Sequence, residues 1–166
     1  MPTPEFVKDL RRDIGSKEMW LPGVSAVVVK RLDEAGAAGD EPQVLLVRRS
    51  DNQQWTVTSG ILELGEDPAP AGAREVAEET SVIARPVRLA GVWAMPLITY
   101  PNGDNCRYLD SVMEFEWVSG SPRVNDDESI DVGWFSPSEL PAGLSAAQQR
   151  KIAWALDFGA SAKFLT

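Results

Sequence analysis

The stretch Arg74–Val82, with the sequence REVAEETSV, constrains the fold of this chain more than any other. Its glutamates Glu75, Glu78 and Glu79 stand at relative positions 0, 3 and 4, where like charges destabilise a helix by about 0.2–0.5 kcal/mol per pair. At about 100° per residue, the three carboxylates share one narrow face of a helix. Apolar residues occupy the opposite face: Ala69, Ala73, Val76 and Ala77. A helix can therefore pack here with its carboxylates turned outward, and their mutual repulsion needs an explanation.

Composition narrows the classes of function. The chain has 166 residues, of which 43% are hydrophobic, so one globular domain over residues 1–166 is expected. A net charge of -9 argues against a nucleic-acid polymer or an anionic membrane as partner, because both attract positive surfaces. We found no apolar run near the roughly 20 residues needed to span a bilayer.

The absence of histidine limits the available chemistry. The chain has no histidine and one cysteine, Cys106, so it has no Ser–His pair, and a structural zinc site is not expected. Proton and metal chemistry must then fall to Asp, Glu, Lys or Tyr, and carboxylate oxygens are ligands that select Mg²⁺, Mn²⁺ or Ca²⁺. Because Cys106 cannot form an internal disulfide, a cytoplasmic location is expected.

Periodicity and turn signals predict strands framed by a few helices, as in one α/β or α+β sandwich. An N-terminal helix over residues 3–15, capped by Thr3, carries an apolar stripe of Phe6, Leu10 and Ile14, which we expect to cover apolar surface of the domain or of a second subunit. A C-terminal helix is predicted over residues 145–158 and ends at a glycine. The predicted strands are Gly23–Leu32, Gln43–Arg49, Trp55–Val57, Val87–Met95, Cys106–Val118 and Ile130–Phe135.

The region around the acidic stretch follows a longer pattern. Gly60, Glu66 and the stretch beginning at Arg74 have the spacing G-x5-E-x7-R-E-U-x-E-E-x-G-U, in which U is aliphatic. This spacing resembles the Nudix box of the Nudix (MutT-like) hydrolase family. Ser81 stands where the pattern has glycine, a residue that suits a left-handed helix exit. The resemblance implies a Nudix-like α/β/α sandwich with a mixed central sheet.

The resemblance also implies a divalent-cation site, holding Mg²⁺ (or Mn²⁺), that would relieve the repulsion between the glutamates. By this resemblance, Glu78 and Glu79 are the main metal ligands, together with the backbone carbonyl of Ser59. Glu75 would hold a metal-bound water or act as base. Gly60 and Gly65 would shape the loop, and Arg74 would pair with Glu66 as part of the structural motif.

Family members often recruit one more acid from a loop beyond the box. The loop NDDES offers Asp126, Asp127 and Glu128. We favour Glu128 as a metal ligand and catalytic residue because it immediately precedes the last predicted strand. Glu114 and Glu116 are the weaker alternatives.

Cationic and aromatic side chains could bind the substrate. Arg48, Arg49 and Arg107 are candidates for phosphate contacts, although neighbouring residues of one strand cannot face the same way. Trp55 is a candidate for stacking on a base. Other aromatic residues lie in comparable strand or loop positions: Trp20, Trp93, Tyr100 and Tyr108.

The resemblance implies a pyrophosphohydrolase that acts on a small nucleotide-type substrate. ADP-ribose or nucleotide sugars are slightly favoured over dinucleoside polyphosphates and (oxidised) nucleoside triphosphates. A non-catalytic nucleotide-sensing module is a further alternative, against which the intact Glu75, Glu78 and Glu79 speak. An isomerase of the isopentenyl-diphosphate type would lack its histidine. A homodimer is also expected, from the habits of the family.

Overall fold

The structure, a computed structural model, describes residues 3–32, 38–100 and 102–165. Within these residues the chain forms three α-helices and nine strands. The helices are α1 (Glu5–Ile14), α2 (Pro68–Thr80) and α3 (Ala146–Leu156). The strands are β1 (Met19–Leu32), β2 (Ala38–Arg49), β3 (Trp55–Thr56), β4 (Thr58–Ile61), β5 (Ile83–Ala94), β6 (Ile98–Thr99), β7 (Asn105–Ser119), β8 (Ser129–Phe135) and β9 (Lys163–Phe164). A 3₁₀ turn, Pro137–Glu139, follows β8.

The strands form one mixed sheet with the order β3-β2-β1-β7-β5-β9. The β1–β7 and β5–β9 pairs are parallel, whereas the others, including β1–β2 and β5–β7, are antiparallel. Outside this order, β4 pairs with β1, β6 with β7 and β8 with β2.

The two faces of the sheet carry separate apolar cores. Along β1, Val24 and Val28 pack in the core beneath α2, whereas Val27 and Val29 pack in the core beneath α3. This alternation follows from the two-residue period of a strand. Because α2 covers one face and α3 the other, the predicted α/β/α sandwich with a mixed central sheet is confirmed.

Helix α1 packs against the sheet through most of the predicted apolar stripe, with Val7, beside that stripe, as its buried residue. Val7 is buried with Met19, Leu21 and Tyr108, and Phe6 and Ile14 are partly buried beside them. Leu10 is 42% exposed, so its place in the predicted stripe is wrong. Thr3 does not cap the helix, because Pro4 holds the N-cap position and no side chain caps it.

Several predicted boundaries differ from the observed ones. The predicted loop after Trp55–Val57 contains strand β4, which begins at Thr58 and pairs with β1. Strand β2 begins at Ala38 rather than at Gln43, and the rest of the preceding loop lies outside the described residues. Helix α3 is capped by Ser145, whose hydroxyl accepts a hydrogen bond from the Gln148 N–H, but it ends at Leu156, two residues short of the prediction.

A buried ion pair joins α3 to the sheet. The Lys151 ammonium donates to Ser25 Oγ at 2.8 Å and pairs with Asp110 Oδ2 at 2.9 Å. Ser25 Oγ and Trp93 Nε1 also donate to the Asp110 carboxylate, at 2.9 and 3.1 Å. Since Lys151 and Asp110 are each only 2% exposed, neither charge can turn to water if the other is removed.

Helix α2 ends in a strained conformation. Ser81 is the C-cap residue, with φ 59° and ψ 13°, which is the left-handed region. A side chain with a Cβ is disfavoured there, and glycine is not. The Ser81 hydroxyl offsets part of this cost by accepting a hydrogen bond from Arg123 Nε at 3.0 Å. The departure from the box pattern therefore keeps the expected helix exit.

The buried pair predicts an asymmetric response to mutation. Lys151→Met leaves Asp110 charged and buried, so we expect it to lower the free energy of unfolding by about 3–5 kcal/mol. Adding Asp110→Asn should recover part of that loss, because the uncompensated charge is gone. Lys8→Met, in the exposed Lys8–Glu5 pair, should cost less than about 1 kcal/mol. Urea unfolding of the four proteins measures these differences, and equal losses for Lys151→Met and Lys8→Met would contradict the expectation.

The left-handed Ser81 predicts that glycine is better tolerated there than alanine. Ser81→Gly and Ser81→Ala both lose the hydroxyl, so the difference between them reports the backbone strain, less the larger unfolded-chain entropy of glycine. We expect the glycine variant to be more stable by about 1 kcal/mol, measured by thermal or urea unfolding. Equal stability of the two variants would mean that the helix exit relaxes without cost.

Candidate active site

Close approach of α2 to β4 buries a carboxylate. A Cβ atom at Gly60 would overlap the Glu75 carboxylate, so only glycine at this position leaves room for that side chain. Glu75 is 0% exposed, and its Oε2 atom has no hydrogen-bond partner among the described residues. The missing side chain of Gly60 thus determines how deep the carboxylate lies.

Arg74 holds the outer side of the same helix. Its guanidinium makes two hydrogen bonds to Glu66, from Nε at 3.0 Å and from Nη2 at 2.8 Å. Its Nη1 atom also donates to Glu75 at 3.2 Å and to Glu78 at 3.4 Å. The hydrogen bonds from Arg74 lower the pKa of Glu66. The resemblance implied that Arg74 pairs with Glu66, and in the structure they pair and connect the loop to α2.

The loop between β4 and α2 turns back at Gly65. Gly65 has φ 78°, a conformation that suits glycine. The carboxylate of Glu66 then accepts a hydrogen bond from the Glu63 N–H at 3.0 Å. The loop therefore has its own internal support besides the Arg74 pair.

Glu79 faces a narrow cavity beside β4. The cavity is bounded by β2, β4 and the start of β8, and Glu79 enters it from α2. Its lining residues are Val47, Arg49, Thr56, Val57, Ser59, Glu79, Glu128 and Ser129. Three of the residues that the resemblance assigns to the metal, Ser59, Glu79 and Glu128, thus meet at one place.

The segment before β8 is attached directly to the end of α2. The Asn125 N–H donates to the Glu79 carbonyl at 3.3 Å, and the Asn125 side chain donates to the Glu78 carbonyl at 2.9 Å. The Arg123 N–H donates to the Thr80 carbonyl at 3.0 Å. These bonds bring Asp126 and Glu128 beside the acidic face of α2.

Two buried carboxyl groups hold their protons unusually tightly. Burial raises the pKa of Glu75 to about 7, against a lowering by Arg74. Burial, helped by the negative charges of Glu75 and Asp126, raises the pKa of Glu79 to about 8. Each group would be charged at neutral pH only at a cost that a nearby cation could offset.

The donor set fits a divalent cation. Carboxylate oxygens and a backbone carbonyl are the ligands that Mg²⁺ and Mn²⁺ prefer, and Glu75 offers a buried oxygen with no protein partner in the described part of the chain. No three acidic or cysteine side chains of residues 3–32, 38–100 and 102–165 are already arranged around one metal position. The residues are therefore suited to the ion without being fully preorganised for it.

Several predicted site residues lie outside the cavity. Glu78 is exposed and contacts Arg74 rather than the cavity. Arg107 pairs with Glu18 at 2.6 Å. Arg48 faces the opposite side of β2 from Arg49 and donates a hydrogen bond to the Gln53 carbonyl. Arg49 lines the cavity, and Asp51 holds its guanidinium at 2.7 Å.

Three further candidates, one aromatic and two acidic, pack against or pair with other side chains of the protein. Trp55 packs edge-on against Phe135 with ring centroids 4.8 Å apart. Glu114 pairs with Arg31 and Arg88, and Glu116 pairs with Arg85. The two glutamates have the same strand parity as Val112, which packs in the α3 core. They lie on the face away from α2, so the alternative roles given to them are wrong.

Sequence reasoning missed residues that belong to the same region. Thr56 and Ser129 line the cavity, and Asn125 fixes the acidic loop to α2. Thr58, next to Ser59 on β4, buries a hydroxyl without a partner among the described residues. The only sequence signal for Thr58 is its position two residues before Gly60, which places both on the same face once that segment is recognised as a strand.

The comparison with protein families covers most of the chain. The family model described as the NUDIX domain matches residues 21–155. The chain is 29% identical over 118 residues to a MutT-like protein of Streptomyces ambofaciens, covering 71% of each chain. It is 32% identical over 111 residues to an NAD-capped RNA hydrolase of Vibrio parahaemolyticus, covering 63% of this chain and 38% of that one.

Comparison of structures gives the same fold. The structure is similar to that of a UDP-X diphosphatase, with a TM-score of 0.66, 22% identity, and coverage of 98% of this chain and 74% of the other. At this identity the likeness concerns the fold alone. In the part of the chain that the structure describes, none of the helices has the length and apolar character needed to cross a membrane.

The raised pKa of Glu79 predicts how metal-free stability depends on pH. A carboxyl group whose pKa is raised on folding destabilises the fold once it ionises, so its cost is absent below about pH 4.5 and complete above about pH 8. The free energy of unfolding of Glu79→Gln minus that of the unmutated protein should therefore rise between these pH values. A shift of one pKa unit corresponds to about 1.4 kcal/mol, and we expect a rise of at least this size.

Urea unfolding in a chelator at several pH values tests this expectation. Glu139→Gln, at an exposed residue of the 3₁₀ turn, is the matched control and should show no such rise. A difference that stays constant from pH 4.5 to pH 8 would mean that Glu79 is not buried in its charged state.

Proposed function

Since this chain belongs to the Nudix family, we propose that it is a pyrophosphohydrolase that cleaves a nucleoside diphosphate linked to another moiety, with ADP-ribose and nucleotide sugars as the favoured substrates. The observation that supports this proposal most directly is that Ser59, Glu79 and Glu128 line one cavity, with Glu75 buried beside it. A cavity lined by several carboxyl groups repels an anionic substrate unless a cation is also bound.

The acidic residues would hold Mg²⁺ or Mn²⁺ in this cavity. Glu79, Glu128 and the Ser59 carbonyl would supply oxygens from the cavity, and Glu78 would have to leave Arg74 to join them. When bound, the ion neutralises phosphate charge and lowers the pKa of an attacking water.

The protein's own groups divide the remaining tasks. The pKa of Glu75 is raised to about 7, so its carboxylate can take up and release a proton near neutral pH. Since it lies one helical turn from Glu79, we assign it the role of holding the reacting water or, in its ionised form, accepting the proton of that water. Arg49 keeps its positive charge, since its pKa is raised by Asp51, and it would bind a phosphate oxygen. Arg74 stays with Glu66 and maintains the shape of the loop.

One relative supports the substrate class. The name of the Vibrio parahaemolyticus relative states that it acts on NAD-capped RNA, and NAD is a nucleoside diphosphate linked to a second nucleoside. Triphosphates and dinucleoside polyphosphates are the alternatives that a substrate panel must separate.

A non-catalytic sensor would bind the same substrates without turnover. Its binding site would not need Glu75, Glu78 and Glu79 together, and this chain has all three. The cytoplasmic location and the homodimer also stay predictions. Light scattering would test the dimer directly.

The proposed function predicts a large effect of a single neutralised carboxylate. We expect Glu79→Gln to lower turnover by several orders of magnitude, because one oxygen ligand loses its charge, and to gain less thermal stability from millimolar Mg²⁺ or Mn²⁺ than the unmutated protein. Turnover and thermal unfolding are measured on the same samples, with and without metal. Glu139→Gln should match the unmutated protein in both measurements.

The same samples identify the substrate. ADP-ribose, a UDP-sugar, NAD, diadenosine tetraphosphate and an oxidised nucleoside triphosphate are compared by the nucleoside monophosphate or pyrophosphate released. Preferential release of monophosphate from the first three supports the proposed class. Binding without turnover of any of them would favour the sensor, and full activity of Glu79→Gln would end the assignment of this site.

A further inference from the structure

Thr58 carries a hydroxyl that the fold leaves unused. The residue is 1% exposed, and its Oγ1 atom has no hydrogen-bond partner within the described part of the chain. Burial of an unpaired hydroxyl opposes folding. Valine has the same shape and would avoid this cost, so a purely structural role would be served better by valine. We therefore expect the hydroxyl to have a hydrogen-bond partner in another state of the protein.

The pairing of β4 with β1 determines which way Thr58 points. Thr58 lies opposite Ala26, and Gly60 lies opposite Val24. Ala26 and Val24 both belong to the core beneath α2, and directly opposed residues of an antiparallel pair point to the same face. Thr58 thus faces α2, as Gly60 does where it meets Glu75.

The relative direction of α2 and β4 identifies the group at the level of Thr58. The short loop of residues 62–67 connects the two elements, so α2 runs back along β4. Two residues back along β4 from Gly60 is about 6.7 Å, and four residues forward along α2 from Glu75 is about 6.0 Å. These steps lead to Thr58 and Glu79. Ser59, next to Thr58, lines the same cavity as Glu79.

We propose that Thr58 is a positioning residue for Glu79, whose carboxylate accepts a hydrogen bond from the Thr58 hydroxyl when it holds the cation. The inference rests on the proposed function, because it assigns the hydroxyl to the cation-binding state of the site. A hydrogen bond to an ionised carboxylate is about twice as strong as one between neutral groups, so the bond contributes most in that state. Thr58 acts through Glu79 and touches neither substrate nor metal.

The test uses thermal unfolding of the full chain titrated with Mg²⁺ or Mn²⁺ alone. Thr58→Val removes the hydroxyl and keeps the shape. Without metal, we expect this variant to be as stable as the unmutated protein or more stable. The half-effective Mg²⁺ concentration is the one that raises the unfolding temperature by half of the rise that the unmutated protein shows at the highest concentration used. For Thr58→Val this concentration should increase about tenfold, which is about 1.4 kcal/mol.

Two further variants separate the hydroxyl from packing. Thr58→Ser keeps the hydroxyl and loses a methyl group, so it should lower metal-free stability and leave the half-effective Mg²⁺ concentration unchanged. Thr80→Val removes a buried hydroxyl that does have partners, the Val76 carbonyl and the Val82 N–H, and should lower metal-free stability.

The outcomes distinguish this inference from the proposed function. If metal shifts the unfolding of neither the unmutated protein nor Thr58→Val, the cation site itself is wrong. If metal stabilises the unmutated protein and Thr58→Val has the same half-effective concentration, the cation site stands and the role of Thr58 is wrong. If Thr58→Val is clearly less stable than the unmutated protein without metal, the hydroxyl has a structural partner and the inference is also wrong.

Discussion

The contact between Gly60 and Glu75 is the constraint on which the site depends. Because Gly60 has no side chain, the Glu75 carboxylate enters the space against β4 and becomes fully buried. Glu79, one turn further along α2, is then buried at the edge of the same strand. Burial raises the pKa of both groups. A single side chain at position 60 would push α2 away from β4 and remove these properties together.

The Arg74 guanidinium contacts carboxylates on only one side of α2. It contacts Glu66, Glu75 and Glu78, so the outer carboxylates are partly compensated by the protein itself. On the inner side, Arg49 lines the cavity with Glu79, but Asp51 holds its guanidinium. The protein thus stabilises the loop with its own cation, and more carboxyl groups than cationic groups line the cavity, which is the arrangement expected for a site completed by a metal ion.

Local sequence patterns predicted much of the fold, because they show the spacing of apolar residues within a helix or strand and the residues at which it begins and ends. The acidic helix and the long strands are examples. Arg49 and Glu128 could also be placed near the site from their neighbours in the sequence. The ends of α3 and the outer position of Leu10 could not be predicted, since they depend on which surfaces of other elements the helices meet. Trp55 was predicted as a substrate contact, but the chain folds so that Phe135, distant in sequence, packs against it.

Long-range polar contacts were hidden for the same reason. Lys151, Asp110 and Ser25 come from three separate elements, and nothing in any one segment shows that their charges and hydroxyl meet. Thr58 was missed because its segment was predicted to be a loop, and the side chains of a loop do not alternate between two faces. The pairing of β4 with β1 supplies that alternation.

Proton and metal binding are coupled at this site by the same burial that creates it. With a pKa of about 8, Glu79 is largely protonated at neutral pH, and a cation that binds its carboxylate must displace that proton. Part of the metal's binding free energy is therefore used to ionise the group, and this part shrinks as the pH rises toward 8. The site is consequently not permanently charged: the negative charge appears together with the ion that neutralises it. In a chain of net charge -9, this coupling lowers the repulsion between the cavity and an anionic substrate in both states. Without metal, Glu79 is largely protonated, and with metal, the ion balances its charge.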